Sequence, residues 1–322
     1  MLNVHMLHAP EDAHLEFLRQ QLTDTINLTL GNEAIPDDVH ILIAGRPSRE
    51  QLTDKPNLHT LFIPFAGLPK ETATLMRDFP HIAVHNLHHN APMTAEMALA
   101  LLFATAKHLI PADKSFRQND WTVRYENVLP SMILDGKTIL IVGYGTIGMV
   151  MGRVCEALNM NVLGIRRTPA DAENIYLPSA LHDLLPKADV LMIAVPGTSD
   201  TEGMIGAEEI SLLPKGAILV NVGRGLVVDQ KALYEALKRK HLLGAGVDVW
   251  YNYPLTKEAR IDTAPADFPF NELDNMVMSP HRAGGGGADE VERRRISAIA
   301  DVLNTAVMGN PMPNKIDLDA GY

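Results

Sequence analysis

A glycine-rich turn between a predicted strand and a predicted helix constrains the fold of this chain more than any other feature. The turn, Gly143-Tyr-Gly-Thr-Ile-Gly148, follows an apolar run that ends at Val142 and precedes a helical stretch. Gly143 permits the tight turn, Gly145 lets the main chain approach a pyrophosphate, and Gly148 lets the helix pack on the sheet. Because N–H groups at a helix N-terminus attract phosphates, the pattern predicts a dinucleotide site. The predicted cofactor contacts here are Gly143, Tyr144, Gly145, Thr146, Ile147 and Gly148.

Short apolar strands alternate with helical stretches on both sides of this turn, which is typical of doubly wound parallel sheets. After the turn, strands are predicted at residues 161–165, 189–195, 217–221, 243–248 and 276–278. The first ninety residues form a separate alternation with strands at 39–44, 60–63 and 81–84. We therefore predict an α/β protein of two Rossmann-like or flavodoxin-like domains, with the active site in the cleft between them.

Composition excludes several classes of partner. Of the 322 residues, 46% are hydrophobic and 21% are charged, and the net charge of -11 predicts no nucleic-acid partner and no anionic membrane. The single cysteine, Cys155, allows no internal disulfide. The N-terminus lacks the pattern of a signal peptide, and the longest apolar run, Met97–Ala104, is too short to span a bilayer. A cytoplasmic location is the expectation.

Five sequence patterns, of which the glycine turn is the first, occur in a fixed order within residues 95–285. They are the glycine turn, Val195-Pro196 with Thr201, the stretch Lys215–Asp229, the stretch Gly244–Val249, and Ser279-Pro-His-Arg-Ala-Gly284. Together they resemble the D-isomer-specific 2-hydroxyacid dehydrogenase family. The resemblance implies an NAD(P)-binding Rossmann domain at 93–287 and a substrate-binding domain formed by 1–92 and 288–322. A predicted helix from about Thr94 to Arg117 joins the two, and a helix at 290–307 returns to the first.

Arg224 and His281 are the predicted catalytic residues. Arg224 follows a strand and lies between two glycines, and its planar guanidinium suits a carboxylate, although many arginines are simply surface residues. A histidine has an unperturbed pKa near 6.5, which suits a general acid or base. The resemblance implies that Arg224 holds the substrate carboxylate and polarises its carbonyl. It also implies that His281 donates a proton while the nicotinamide delivers a hydride.

One position departs from the family pattern. The family places a glutamate five residues after the aspartate that corresponds to Asp248, and that carboxylate raises the pKa of the histidine. Here the position holds Tyr253, a neutral phenol that cannot stabilise imidazolium in the same way. Our hypothesis is that Tyr253 orients His281 without charging it. Acidic residues in the long stretch that follows, Glu258, Asp262, Asp267 and Glu272, are alternatives that the sequence does not rank.

The cofactor is predicted from the end of the strand that follows the glycine-rich helix. NAD-binding proteins place an acidic residue there, about twenty positions on, for the ribose hydroxyls. This chain has Arg166-Arg167-Thr168 instead, which favours the 2′-phosphate of NADP. The alternative is that the protein binds NAD and that one of these arginines stacks on the adenine ring. Asp248 either caps a turn or, as the resemblance implies, approaches the nicotinamide. The other cofactor contacts implied by the resemblance are Val195, Pro196, Thr201, Val222, Gly223 and Gly284.

The first ninety residues offer fewer candidates. Ala66-Gly67 resembles the place where family members bind the substrate carboxylate through main-chain N–H groups, with Phe65 beside it. The histidine-rich segment His85–Asn90 could suggest a metal, but without a cysteine or a carboxylate pair we predict contacts and no metal site.

We therefore expect reduction of a small 2-keto acid, such as glyoxylate, hydroxypyruvate or pyruvate, to the D-2-hydroxy acid with NADPH. Two alternatives remain open. One is hydride abstraction as in formate dehydrogenases, which Asp248-Val-Trp250 resembles, and the other is a nucleotide-sensing protein like the family's corepressors. The apolar helix near Met97–Ala106 predicts a homodimer, as the resemblance implies.

Overall fold

The structure is a computed structural model that describes residues 1–31, 34–126, 130–168, 172–285 and 287–321. The chain divides into two compact units, one formed by Met1–Asn90 with Gly285–Tyr322 and the other by Ala91–Gly284. Each unit contains one sheet whose strand pairs are all parallel. The predicted α/β fold with two doubly wound parallel sheets is confirmed.

The first unit contains a five-stranded sheet in the order β2-β1-β3-β4-β5. Its strands are β1 (Leu2–Met6), β2 (Ile26–Leu30), β3 (Ile41–Ile43), β4 (Thr60–Phe62) and β5 (Ala83–His85), and its first helices are α1 (Asp12–Gln21), α2 (Arg49–Leu52) and α3 (Lys70–Met76). Our sequence analysis missed β1 and β2. Strand β1 contains polar residues and so lacks the continuous apolar run by which the other strands were predicted. One of these polar residues, His5, is buried, and its Nδ1 lies 2.8 Å from Thr29 Oγ1 on β2.

The second unit contains a seven-stranded sheet in the order β12-β11-β10-β9-β6-β7-β8. Its strands are β6 (Thr138–Val142), β7 (Asn161–Ile165), β8 (Ile175–Tyr176), β9 (Val190–Ile193), β10 (Ile218–Asn221), β11 (Gly244–Val247) and β12 (Met276–Met278). Its helices are α4 (Ala91–Ala106), α5 (Leu109–Phe116), α6 (Thr122–Tyr125), α7 (Thr146–Ala157), α8 (Leu181–Leu184), α9 (Ala207–Leu212) and α10 (Gln230–Lys238).

The strand order of the second unit reverses at β6, which pairs with β7 on one side and with β9 on the other. In open parallel sheets, ligands bind outside the carboxyl ends of the strands at such a reversal. The glycine turn begins directly after β6, so the topology places it at this position. Helix α7 then covers the sheet and buries Cys155, where burial raises the pKa of the thiol to about 11.

The single helix predicted from Thr94 to Arg117 is wrong, because the structure has two helices bent by 64°. His108 separates them in a left-handed conformation, with φ 48°. Pro111 explains the break, since a proline ring clashes with the carbonyl four residues earlier and offers no N–H. Helix α4 packs closely on β11, where a Cβ on Gly246 would lie 2.8 Å from the Leu101 Cβ. Among the described residues no single helix meets the criteria for crossing a membrane, although this bent pair together does by length and composition.

Helix α11 (Asp289–Val307) belongs to the first unit and completes its core. Ile296, Ile299 and Leu303 are fully buried in a cluster with Val4 and Leu18. Burying each of these aliphatic side chains contributes about 1.5–3 kcal/mol relative to leaving it exposed. The apolar periodicity predicted for this segment therefore corresponds to its buried face.

Candidate active site

Two glycines of the turn are required by packing within the protein. Gly143 has φ +101°, and a Cβ there would lie 2.7 Å from the carbonyl carbon and oxygen of Ala194. A Cβ on Gly148 would lie 2.4 Å from the carbonyl oxygen of Gly143. Both obstacles are backbone atoms that cannot rotate away. A larger residue at either position would force the strand, the turn and the helix apart.

Gly145 differs, because a Cβ there would meet no described atom within 4 Å. Packing therefore does not explain this glycine, and the open space outside the main chain remains available to a ligand. Gly145 is the N-cap of α7 and provides no side chain to the N–H groups of the first turn. Exposed N–H groups with open space before them fit a pyrophosphate. The residues present thus fit the dinucleotide that the sequence predicts.

Tyr144 contributes packing more than ligand contacts. The N–H groups of Gly143 and Tyr144 both donate to the Ile165 carbonyl, at 3.0 and 2.8 Å. A Cβ on Gly152 would lie 2.5 Å from the Tyr144 hydroxyl, and one on Gly164 would lie 2.6 Å from its ring. The tyrosine ring therefore fills space that these two glycines leave on α7 and β7. A contact between Tyr144 and a cofactor stays a prediction.

The paired arginines lie where β7 ends, directly beside the glycine turn. The Arg166 N–H donates to the Tyr176 carbonyl at 3.0 Å, and its Nη2 donates to Thr168 Oγ1 at 3.0 Å. Arg167 and Thr168 are exposed. The sequence places no carboxylate among these residues, so the strand end presents positive charge where the ribose of a dinucleotide is expected.

The loop after β9 is held by Thr201. This side chain is buried; its hydroxyl donates to the Pro196 carbonyl at 2.6 Å and accepts from the Thr198 N–H at 2.9 Å. Thr201 therefore fixes the shape of the loop through protein contacts. Val195 and Pro196 are half-buried at the strand end, and a direct cofactor contact of either stays a prediction.

Arg224 is positioned by a tight turn that follows β10. The buried Asn221 side chain closes the turn, because its Oδ1 accepts from the Gly223 N–H and its Nδ2 donates to the Arg224 carbonyl, both at 3.0 Å. Gly223 is required here, since a Cβ would lie 2.4 Å from the Val195 carbonyl oxygen, and Val222 is buried. The Arg224 side chain itself is exposed.

Sequence analysis missed the role of Asn221. Asparagine commonly hydrogen-bonds the main chain two residues further on, so an asparagine at a strand end before a glycine was the available signal.

Asp248 fixes the loop that carries His281. Its buried carboxylate accepts hydrogen bonds from the Ser279 hydroxyl, the Arg282 N–H at 2.8 Å and the Ala283 N–H at 2.9 Å. These hydrogen bonds agree with the interpretation in which Asp248 caps a turn. A contact between Asp248 and a nicotinamide stays a prediction. Gly284 is exposed, and its contact with a cofactor also stays a prediction. His281 takes a left-handed conformation with φ 54° within this loop.

The structure brings Tyr253 and His281 together. The Tyr253 hydroxyl lies 2.8 Å from His281 Nδ1, and the Trp250 N–H donates to the same hydroxyl oxygen at 3.1 Å. Because the oxygen already accepts one hydrogen bond, the phenolic hydrogen is free to donate to Nδ1. In neutral His281 this leaves the proton on Nε2. Trp250 also holds the loop through its indole N–H, which donates to the Ser279 carbonyl at 2.8 Å.

Desolvation and the positive charge of Arg224 lower the pKa of His281 below its usual value, while Asp248 opposes the shift. Desolvation raises the pKa of Tyr253, so the phenol stays neutral. In the described part of the chain no carboxylate forms an ion pair with His281. Asp267, one of the acidic alternatives, instead accepts hydrogen bonds from Asn252 and Gln230. The site therefore favours neutral imidazole at neutral pH.

The candidates in the first unit lie after β4. The Asn86 side chain donates to the Ala66 carbonyl at 2.7 Å, and the Phe65 ring packs where a Cβ on Gly45 would lie. Within the described ranges no hydrogen bond engages the N–H groups of Ala66 or Gly67. These groups are available to an anion, and their contact with substrate stays a prediction. No cluster of three or more potential metal ligands occurs among the residues that the structure describes.

Comparison with known proteins relates this chain to one family. Residues 99–283 match the family model of the D-isomer specific 2-hydroxyacid dehydrogenase NAD binding domain. A glyoxylate reductase from Korarchaeum cryptofilum is 36% identical over 233 residues, which cover 70% of this chain and 65% of the relative. A D-3-phosphoglycerate dehydrogenase from Methanocaldococcus jannaschii is 30% identical over 229 residues, covering 70% of this chain and 41% of the relative. The matched region thus spans less than two thirds of either curated relative.

A solved structure is similar over nearly the whole chain. It is an NADPH-dependent glyoxylate/hydroxypyruvate reductase from Sinorhizobium meliloti in complex with NADP and malonate, with 25% identity and a TM-score of 0.71. The similarity covers 99% of this chain and 98% of that one. Since the family model matches more than half of the residues, the chain belongs to the D-isomer-specific 2-hydroxyacid dehydrogenase family.

Proposed function

We propose that the protein reduces a small 2-keto acid to the D-2-hydroxy acid with NADPH. The observation that carries the proposal is that Arg224, His281 and the open glycine turn follow the carboxyl ends of β10, β12 and β6, which are alternate strands of one parallel sheet. Arg224 lies close enough to His281 to lower its pKa. The curated glyoxylate reductase and the solved glyoxylate/hydroxypyruvate reductase support a small 2-keto acid as substrate.

Arg224 and His281 have separate roles in this reaction. The exposed guanidinium of Arg224 binds the substrate carboxylate and withdraws charge from the carbonyl oxygen. A bound nicotinamide supplies the hydride. Protonated His281 donates its Nε2 proton to the carbonyl oxygen, and in the reverse direction neutral His281 accepts the hydroxyl proton at Nε2.

Tyr253 stabilises the protonated form of His281 less than the glutamate of the family pattern would. When His281 is protonated, Nδ1 carries a hydrogen and must donate to the Tyr253 oxygen, which already accepts from Trp250. The phenol adds no negative charge to balance the imidazolium. The protonated fraction of His281 is therefore small at neutral pH, and reduction is expected to accelerate as the pH falls.

NADP is proposed as the preferred cofactor because two arginines end β7 and the sequence supplies no carboxylate there. The relative from Sinorhizobium meliloti was solved with NADP, which supports this choice. NAD remains the alternative. Arginine is the side chain best suited to the 2′-phosphate, since it forms bidentate hydrogen bonds with phosphate oxygens.

A cofactor-oxidation assay tests the proposal. Purified protein is mixed with NADPH or NADH and with glyoxylate, hydroxypyruvate or pyruvate, and the absorbance of the reduced cofactor is followed. Oxidation with at least one 2-keto acid is expected, faster with NADPH. Cofactor binding without turnover would instead support the nucleotide sensor, and reduction of NAD⁺ or NADP⁺ by formate would support formate dehydrogenase chemistry.

We also propose a homodimer. Helices α4 and α5 expose several large apolar side chains, namely Phe103, Leu109, Ile110 and Phe116. Exposed apolar patches of this kind commonly mark protein interfaces. Light scattering coupled to size-exclusion chromatography is expected to give twice the mass of one chain, and the single-chain mass at micromolar concentration would contradict a dimer. Residence in the cytoplasm stays a prediction from composition.

A further inference from the structure

A cavity of about 640 Å³ adjoins the proposed proton donor. His281, Tyr253 and Ser279 form part of its wall, so a ligand in the cavity would lie beside the proposed proton donor. Pockets of 300–1,000 Å³ typically hold drug-sized ligands, whereas glyoxylate and pyruvate have only a few heavy atoms. The cavity is thus larger than the smallest proposed substrates require.

The rest of the lining combines mostly apolar side chains with two neutral polar ones, Asn252 and Thr263, and one cation. Apolar surface comes from Trp250, Pro254, Pro265, Met278 and Pro280. Arg260 is the lining residue that carries a permanent charge, and the lining includes no carboxylate. A ligand with a short carbon chain and a distal anion would match the apolar surface and the cation.

Arg260 is the candidate partner for such an anion. It lies in the short 3₁₀ turn Glu258–Ile261 and is exposed. Among the residues described, no carboxylate forms an ion pair with its guanidinium, although Glu258 and Asp262 are near in sequence. A guanidinium that is not bound to a protein carboxylate can form charge-assisted hydrogen bonds with a ligand carboxylate.

We propose that Arg260 binds the distal carboxylate of a 2-keto diacid whose keto acid end is held by Arg224 and His281. The inference rests on the proposed function for the placement of the keto acid end. It specifies the substrate class further, because the preferred substrates are then dicarboxylic 2-keto acids and not glyoxylate or pyruvate. Arg260 is a specificity-determining residue in this scheme and takes no part in proton or hydride transfer.

The test compares 2-ketoglutarate with 2-ketovalerate, which has the same carbon chain and lacks the distal carboxylate. Calorimetry measures the binding of each to protein saturated with NADP⁺, where no turnover occurs. The native protein is expected to bind the diacid about five- to tenfold more tightly, a modest factor because Arg260 is exposed. Arg260→Met is expected to abolish this preference, and Arg260→Lys to keep part of it.

Lys257→Met is the matched control, since it removes the same charge from the neighbouring exposed position, which does not line the cavity. Its diacid preference is expected to equal that of the native protein. A preference that persists in Arg260→Met, or a native protein that binds 2-ketovalerate at least as tightly, would overturn the proposal. Absence of NADPH oxidation with every 2-keto acid overturns the proposed function instead, and the calorimetric ratio still decides the role of Arg260. If neither ligand binds, the proposal for Arg260 is wrong, and NADPH oxidation with glyoxylate, hydroxypyruvate or pyruvate still decides the proposed function.

Discussion

The glycine turn at residues 143–148 and the loop at residues 279–284, called here the histidine loop, lie in the same unit but are fixed by different means. The turn is defined by missing side chains, since backbone atoms occupy the space beside Gly143 and Gly148. The histidine loop is defined by buried polar groups, chiefly the Asp248 carboxylate and the Trp250 indole. The candidate binding turn thus depends on the absence of side chains within one short segment, whereas the candidate catalytic loop depends on side-chain hydrogen bonds between residues about thirty positions apart in sequence.

If the two regions work separately, changes in the histidine loop should remove catalysis and leave cofactor binding intact. His281→Asn removes the proton donor, so kcat for 2-keto acid reduction is expected to fall by about 10²- to 10⁴-fold. The dissociation constant for NADPH, measured by fluorescence titration, is expected to change by less than about twofold. A parallel loss of NADPH binding would show that the two regions are not independent.

Within the turn, substitution of Gly148 should mainly lower the free energy of unfolding, and substitution of Gly145 should mainly lower the affinity for NADPH. Gly148→Ala places a Cβ against the Gly143 carbonyl, and we expect a loss of about 1–3 kcal/mol in the free energy of unfolding. Gly145→Ala fills open space at a helix N-cap, which costs at most about 1 kcal/mol. NADPH affinity is nevertheless expected to fall about tenfold or more in Gly145→Ala, or about 1.4 kcal/mol.

Urea denaturation and NADPH titration of both variants provide the check. Equal destabilisation of the two variants would mean that Gly145 serves packing as Gly148 does. Undiminished NADPH affinity in Gly145→Ala would place the pyrophosphate elsewhere.

Under the proposed function, the arginines at the end of β7 make the protein prefer NADP over NAD. The double substitution Arg166→Ser with Arg167→Ser removes both guanidiniums, and the ratio of kcat/KM for NADPH over NADH is expected to fall about tenfold because each phosphate contact is exposed to solvent. Arg153→Ser, on α7 away from the strand end, is the control and should leave the ratio unchanged. An unchanged ratio in the double variant would favour the alternative, in which the protein binds NAD and an arginine stacks on the adenine ring.

The smallest expected effect concerns Tyr253. Tyr253→Glu introduces a carboxylate next to His281, which stabilises imidazolium and raises the pKa of the histidine by about one unit. The rate of reduction declines as the pH rises through the pKa of His281. In Tyr253→Glu this decline should therefore occur about one pH unit higher. Tyr253→Phe retains the ring without the hydroxyl and should not produce an upward shift. A profile that is the same in Tyr253→Glu and the native protein would remove Tyr253 from the mechanism.

The same contrast explains what the sequence could predict. The turn, Arg224 and His281 follow strand ends in short recognisable patterns, so their positions could be predicted. Local patterns did not reveal the contacts of Ser279 and Trp250, because these bonds join segments about thirty residues apart. The contacts of Asn221 lie within one turn, and they were missed although the local signal was present. The helix break at His108 was missed although Pro111 signalled it, because the apolar run continues past the break. The edge strand β2 and the polar strand β1 were missed because neither is a continuous apolar run.

Cys155 has a practical consequence. It is the one cysteine in the chain, it lies on the buried face of α7, and its thiol has a pKa raised to about 11. Thiolate is the reactive form of cysteine, so a native molecule should react slowly with alkylating reagents. Alkylation then requires opening of the helix that begins at the glycine turn, and its rate measures how often this region unfolds locally. The native chain thus contains its own kinetic probe of ligand-induced protection, without any introduced label.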